Sequence, residues 1–260
     1  MKRVRLWVSY DGTEYSGWQI QPGVPTIEGK LDEAIQNLIG ENIHVIGASR
    51  TDAGVHGLCN VAVFDTEHPM PADRYAFALN SFLPDDIVVF ESDEVAPDWH
   101  PRHVDGTRKT YEYRITRTRH ENPLTNRYSA HYYGPLDVEQ VRRAATLLCG
   151  THDYTSFCAA ATVVTDRVRT VYDITVETPN DDTMIFRVTG NGFLYNMVRI
   201  IVGTLLSVGR GELTPEQMPD ILAACDRTKA GPTAPAKGLT LYKIEYPAEV
   251  QAFLSSPASS

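Results

Sequence analysis

Apolar and polar positions follow an order that runs twice along the chain. Residues 3–10 are rich in Val, Leu and Trp and stop at Asp11 and Gly12, which reads as a strand entering a turn. From Thr26 the spacing changes: Ile27, Leu31, Ala34, Ile35 and Leu38 fall on one helix face, with Thr26 as N-cap and Gly40 as stop. Ile43, Val45 and Ile46 predict a strand, as do residues 60–64, while 71–83 predict a helix and 87–90 a further strand. The order then restarts. Residues 110–115 and 129–133 are strand-like, 138–148 have helical spacing, and 168–177 with 184–190 form a strand pair about a turn at 179–182. Helices are expected at 195–208 and 215–225, and a closing strand at 239–246. No literal repeat is present. The recurring order of strand, helix, strand pair, helix, strand predicts two related α+β units with a boundary near residues 97–106.

Composition narrows the class. At 260 residues the chain can build one large core or two small ones. Its four cysteines, Cys59, Cys149, Cys158 and Cys225, are scattered without a C-x-x-C pair, as suits free thiols in a reducing cytosol. The N-terminus starts basic and turns apolar, yet it meets Asp11 within one strand length and has no small-residue cleavage site, so it reads as a strand and not as a signal peptide. The longest apolar stretch, 200–208, falls far short of the roughly 20 residues a membrane helix needs. A soluble, cytoplasmic protein without a membrane partner is the expectation.

The net charge of −9 argues against nonspecific nucleic-acid binding, because phosphate attraction needs a cationic face. A local face remains open. Arg102, Arg108, Lys109, Arg114, Arg117 and Arg119 stand against only Asp105 and Glu112, and Arg142, Arg143, Arg167 and Arg169 add to them. Such a cluster is equally a solvated surface, so charge alone is permissive.

Several catalytic patterns fail. Gly23 and Gly29–Lys30 have five residues between the glycines, and Leu31 stands where a phosphate loop needs Ser or Thr. Gly47-Ala-Ser49-Arg-Thr lacks the second glycine of a nucleophile elbow. His100 and His103 flank Pro101 with no third ligand beside them, so no metal is expected. No dinucleotide fingerprint occurs, and no cofactor is expected.

Three segments remain. Residues 47–57 hold three glycines with Arg50, Asp52 and His56, which implies tight turns and the close approach of another body. Arg50 and Asp52 lie two apart and would point to one side of an extended chain. Asp52 reads either as a turn former or as a carboxylate kept ionised by guanidinium and able to act as nucleophile or base. Residues 109–114 place Tyr111 and Tyr113 on one strand face beside arginine, suited to packing or to stacking on an unpaired base. Arg199 sits inside an otherwise apolar helix, where burial would demand an anionic partner; an exposed stripe is the other possibility.

Taken in order, these segments carry a resemblance. With Tyr10 to Gln19, Thr26 to Gly29, Arg50-Thr51-Asp52-Ala53-Gly54-Val55-His56, His100-Pro-Arg102, the Tyr111-x-Tyr113 strand, Phe193 to Gly203 and Gly238-Leu239-Thr-Leu241, the chain resembles the bacterial tRNA pseudouridine synthases of the anticodon arm, usually called TruA. The match covers all but the last dozen or so residues, and its Arg-Thr-Asp core is specific. The resemblance implies a pseudouridine synthase fold: two related α/β halves sharing a mainly antiparallel sheet with a central active-site cleft. The halves would be residues 1–103, carrying the catalytic Asp loop, and 104–248, carrying the Tyr strand and Arg helix, followed by a flexible tail at 249–260.

The implied activity is isomerisation of uridine at about positions 38–40 in the anticodon stem-loop of tRNA, with base flipping. Asp52 would be the catalytic aspartate, Arg199 its salt-bridge partner, Tyr111 the ring stacked on the base, Leu239 an apolar wall of the base pocket and Arg50 the residue that opens the stem. The expected partners are tRNA and a second copy in a homodimer. Whether Asp52 attacks sugar or base, or removes a ribose proton, stays open. So do two other readings, a tRNA-folding chaperone and an isomerase of free uridine nucleotides.

Overall fold

Alternating apolar residues in the first strand lay the floor of the first core. In this computed structural model, which describes residues 1–160 and 164–247, strand β1 (Lys2–Tyr10) buries Val4, Leu6 and Val8 completely. The tail expected at 249–260 lies outside the described residues. The chain forms two compact units: residues 1–107 together with the described residues from Leu241 onward, and residues 108–240.

In the first unit, β1 pairs antiparallel with both β3 (His56–Thr66) and β4 (Ile87–Val95). The strand order is β4-β1-β3-β10, where β10 is Leu239–Glu245 and its residues from Leu241 belong to this unit. Helix α1 (Ile27–Ile39) buries Ile27, Leu31, Ala34 and Ile35, the stripe read from spacing. Thr26 Oγ1 caps it by accepting from Gly29 N at 3.2 Å, and Gly40, with φ of 76°, ends it.

Two expectations are corrected here. The strand at residues 43–46 shrinks to β2 (Ile46–Gly47), because Val45 N–H is taken by the Asp32 carboxylate at 2.9 Å. The helix expected over 71–83 is a 3₁₀ turn (Ala72–Arg74) and a short α2 (Tyr75–Leu79). It ends where the Asn80 side chain bonds both backbone groups of Val89, at 2.8 and 2.9 Å, and so ties the chain to β4.

The same unit contains a buried arginine that spacing did not flag. Arg5, 1% exposed, grips the Asp93 carboxylate through Nε and Nη2 at 2.9 and 2.7 Å, and its guanidinium lies 5.3 and 5.1 Å from the rings of Trp7 and Trp99. A forked, charge-assisted contact of this kind is what makes a fully buried arginine tolerable.

The second unit orders its strands β5-β9-β8-β7, with β5 at Arg108–Thr116, β9 at Thr183–Gly190, β8 at Val168–Asn180 and β7 at Gly150–Asp153. These pairs are antiparallel, and the two-residue β6 (Ala130–His131) adds parallel to β5. Helix α3 (Val138–Leu147) is capped by Asp137, while α4 (Met197–Gly209) is buried along nearly its whole length. A 3₁₀ turn (Pro215–Gln217) leads into α5 (Met218–Ala224). The short polar β7 escaped the sequence pattern because four residues without an apolar alternation carry no strand signal. The class is therefore α+β with mainly antiparallel pairing. No helix among the described residues is long and apolar enough to cross a membrane.

Candidate active site

Asp52 lies in a segment with neither strand nor helix, so neighbours distant in sequence must set its position. Upstream, Ala48 N donates to Val61 O at 2.7 Å, and the Asn60 side chain bonds both backbone groups of Ser49, at 3.2 and 2.9 Å. The Thr51 side chain turns inward to the Tyr10 hydroxyl at 2.9 Å, between an exposed Arg50 and a half-buried Asp52. Its carbonyl accepts from Trp18 N at 3.0 Å. Downstream, Val55 N closes a turn on Asp52 O at 3.1 Å, and Gly54 N reaches Tyr15 O at 3.2 Å. The loop is thus tied on both sides of the carboxylate.

The body that the glycines were expected to admit is the segment from Tyr10 to Trp18. A Cβ on Gly12 would fall 2.0 Å from Val55 O, and one on Gly47 would fall 2.3 Å from the Trp18 ring nitrogen. Neither position has room for a side chain. Burial pushes the Tyr10 phenol up, against the opposing bonds from Thr51 and Asn60, so it stays a neutral donor and acceptor. His56 Nδ1 lies 3.1 Å from both Gly12 N and Asp11 Oδ1. The backbone N–H can only donate, so with that bond made Nδ1 is the acceptor, and the Asp11 contact becomes an ion pair only if His56 is protonated.

In the second unit, regular elements carry the expected residues. Tyr111, on β5, is 8% exposed and packs edge-on against Phe193, with centroids 5.2 Å apart. Tyr113, on the same face, donates to Pro235 O at 2.9 Å; burial pushes its phenol up while the Arg199 charge pulls the other way. Arg199, in the first turn of α4, donates through Nε to Ala234 O at 2.7 Å and through Nη1 to Asn196 Oδ1 at 2.8 Å. Ala234 N returns a bond to Arg199 O at 3.1 Å. One helical turn further on, a Cβ at Gly203 would meet Pro232 O at 1.8 Å, so backbone lies directly on backbone there. Leu239 is buried and follows Gly238, which packs on the Tyr113 ring.

The expected basic run is partly consumed within the chain. Glu112 pairs with Arg114 at 2.8 Å and Arg187 at 2.9 Å, Arg143 pairs with Glu216 at 2.6 Å, and Arg108 lies 4.9 Å over the Tyr172 ring. His100 and His103 stack with centroids 4.0 Å apart and planes at 15°. Among the described residues no group of three or more His, Cys, Asp or Glu could hold a metal.

With this geometry in hand, comparison with known proteins is decisive. A family profile described as tRNA pseudouridine synthase matches residues 6–103 and 144–247. Proteins called tRNA pseudouridine synthase A from Brevibacillus brevis and Thermoanaerobacter sp. are 48% and 47% identical over 246 residues, 95% of this chain and all of theirs. The chain belongs to the tRNA pseudouridine synthase family. The like-named protein of Moorella thermoacetica is 47% identical over 248 residues, again 95% of this chain and all of that one. A crystal structure of an archaeal box H/ACA Nop10–Cbf5 complex aligns over 78% of this chain and 53% of that chain at 14% identity and a TM-score of 0.32, which adds nothing to the assignment.

Membership in the tRNA pseudouridine synthase family makes the chain an isomerase of tRNA processing. Sequence reasoning passed over the residues that hold the named ones: Tyr10 and Asn60 behind the Asp52 loop, and Asn196 and Ala234 around Arg199. Asn196 had a signal, since a residue three before an arginine on a helix can reach it. Asn60 had none, because only β-sheet pairing brings it to Ser49.

Proposed function

We propose that this chain converts uridine to pseudouridine at about positions 38–40 in the anticodon stem-loop of tRNA, with Asp52 as the catalytic carboxylate. The observation that carries this reading is the loop itself: a half-buried carboxylate on an irregular segment whose flanks are tied to Tyr10, Tyr15, Trp18 and Asn60. Such anchoring lowers the reorganisation needed when a reacting group arrives. The reaction breaks the C1′–N1 bond, turns the uracil and rejoins it through C5; the C5 proton leaves and N1 gains one, so atoms and electrons balance and no redox cofactor or metal is needed.

Flipping the uridine out of the stem costs a few kcal/mol. Stacking on Tyr111, worth about 1–3 kcal/mol per base, offsets part of it. Arg50 opens the stem, Leu239 supplies an apolar wall to the base, and Arg199 contributes the positive charge that steadies the Asp52 carboxylate. Residues 1–103 and 104–248 act as the halves bearing the Asp loop and the Tyr strand with the Arg helix. The enzyme works in the cytoplasm as a homodimer.

The test is incubation with unmodified tRNA followed by pseudouridine mapping through carbodiimide-blocked reverse transcription. Stops at the anticodon arm are expected, and Asp52→Asn abolishes them while leaving tRNA affinity within a few-fold. Affinity without stops would turn the reading into a tRNA-folding chaperone. Turnover of free uridine monophosphate would turn it into a small-molecule isomerase.

A further inference from the structure

In a chain of net charge −9, uncommitted arginines stand out. In the first unit Arg3, Arg5 and Arg74 each face a carboxylate, of Asp65, Asp93 and Asp73 respectively. Arg50 and Arg102 form no ion pair among the described residues. Both are exposed; Arg50 belongs to the Asp52 loop and Arg102 reaches it from a distant segment. Arg50 stands two residues before Asp52, and Arg102 is fastened to the same loop by its Nε, which donates to Gly47 O at 2.7 Å.

That bond fixes the plane of the Arg102 guanidinium and leaves its two terminal nitrogens without a protein acceptor among the described residues. The backbone from which Arg102 springs is itself braced. Tyr246 donates its hydroxyl to Pro101 O at 3.1 Å, Arg102 N donates to His100 Nδ1 at 3.2 Å, and the His100 ring lies flat on His103. Desolvation, and then the nearby charge of Arg50, draw the Arg102 pKa down; Glu28 opposes weakly, one of its carboxylate oxygens already accepting from Ile20 N at 2.9 Å. Two guanidinium groups close enough to repel, with no carboxylate paired to either, are stabilised by an anion between them. A planar, oriented fork is the shape that recognises a phosphate through two parallel bonds.

We infer that Arg102, with Arg50, forms a subsite on the Asp52 loop for one backbone phosphate of the RNA, close to the nucleotide being modified. This rests on the proposed activity and adds to it the means by which an acidic protein holds RNA at its catalytic loop. Arg102 is a substrate-positioning residue. Its guanidinium ties Gly47 to the RNA backbone, so the same group that grips the phosphate also fixes the start of the loop.

The test measures tRNA affinity against salt for wild type, Arg102→Gln and Arg102→Lys. Loss of one phosphate contact in Arg102→Gln lowers the slope of log affinity against log salt by about 1 and weakens binding roughly tenfold. Arg102→Lys keeps the charge and most of the slope but loses the fork. Purely structural service to Gly47 predicts instead that both variants lose kcat with an unchanged slope, and that result would overturn the inference.

Should Arg102→Gln not fold, neutral methylphosphonate linkages placed one at a time through the anticodon arm test the same point. One linkage then costs the wild type roughly tenfold in affinity, and costs Arg50→Gln clearly less. A scan in which no linkage stands out also overturns it. Wild-type pseudouridine formation is measured alongside: its absence refutes the proposed function, whereas its presence with an unchanged slope refutes this subsite alone.

Discussion

The Asp52 loop and the α4 helix solve the same problem in different ways. Asp52 must be held on a chain with no repeating hydrogen bonds of its own, and it is held by at least five ties to residues between Tyr10 and Trp18 or on β3. Arg199 starts from a helix whose ladder already fixes its backbone, and two neutral oxygens, of Ala234 and Asn196, help to aim its guanidinium. In both regions a glycine lets backbone touch backbone: Gly12 beneath Val55 and Gly203 beneath Pro232. Irregular structure can be as well determined as regular structure, but the determination is spread over distant residues. Small displacements at those residues are then felt at the carboxylate.

Adding a methyl group at each glycine is the strongest way to break this comparison. Gly203→Ala forces a Cβ to within 1.8 Å of Pro232 O inside a buried helix that cannot yield, so a stability loss of about 3 kcal/mol is expected from urea unfolding. Gly12→Ala meets Val55 O at 2.0 Å, but the loop can shift. Its stability cost is about 1–2 kcal/mol, and its main effect is on kcat, about 100-fold for a displacement near 1 Å. Near-wild-type kcat in Gly12→Ala would mean that the ties to the Tyr10–Trp18 segment do not position the carboxylate.

The same contrast explains what could be read from the chain. Helix α1, with its Thr26 cap and Gly40 stop, and the strands at either end were legible because apolar spacing and caps are local signals. The strand at residues 43–46 and the single helix at 71–83 failed because side chains, Asp32 and Asn80, took backbone partners that no local pattern reveals. Arg5 was missed although it sits in an apolar strand just as Arg199 sits in an apolar helix. Asking it the same question about an anionic partner leads to Asp93. The candidate residues Asp52, Tyr111, Arg199, Arg50 and Leu239 came from motif resemblance, whereas their supports, Tyr10, Asn60, Asn196 and Ala234, needed three dimensions.

A gentler change separates the two regions with less damage. Tyr10→Phe removes a buried hydroxyl shared by Thr51 at 2.9 Å and Asn60 at 3.3 Å, both of which shape the loop ahead of Asp52. Tyr113→Phe removes one bond, to Pro235 O at 2.9 Å, on a segment that Ala234 still ties to Arg199 through two others. Each loss is worth about 1 kcal/mol of stability, with Tyr10 somewhat above Tyr113 because it orphans two groups. The kinetic effects should diverge further. Tyr10→Phe is expected to lower kcat severalfold on unmodified tRNA, with faster amide exchange confined to residues around 49–55, whereas Tyr113→Phe leaves kcat within about twofold. Equal kcat losses in the two variants would mean that the helix-borne arginine depends on remote ties as heavily as the loop-borne carboxylate does.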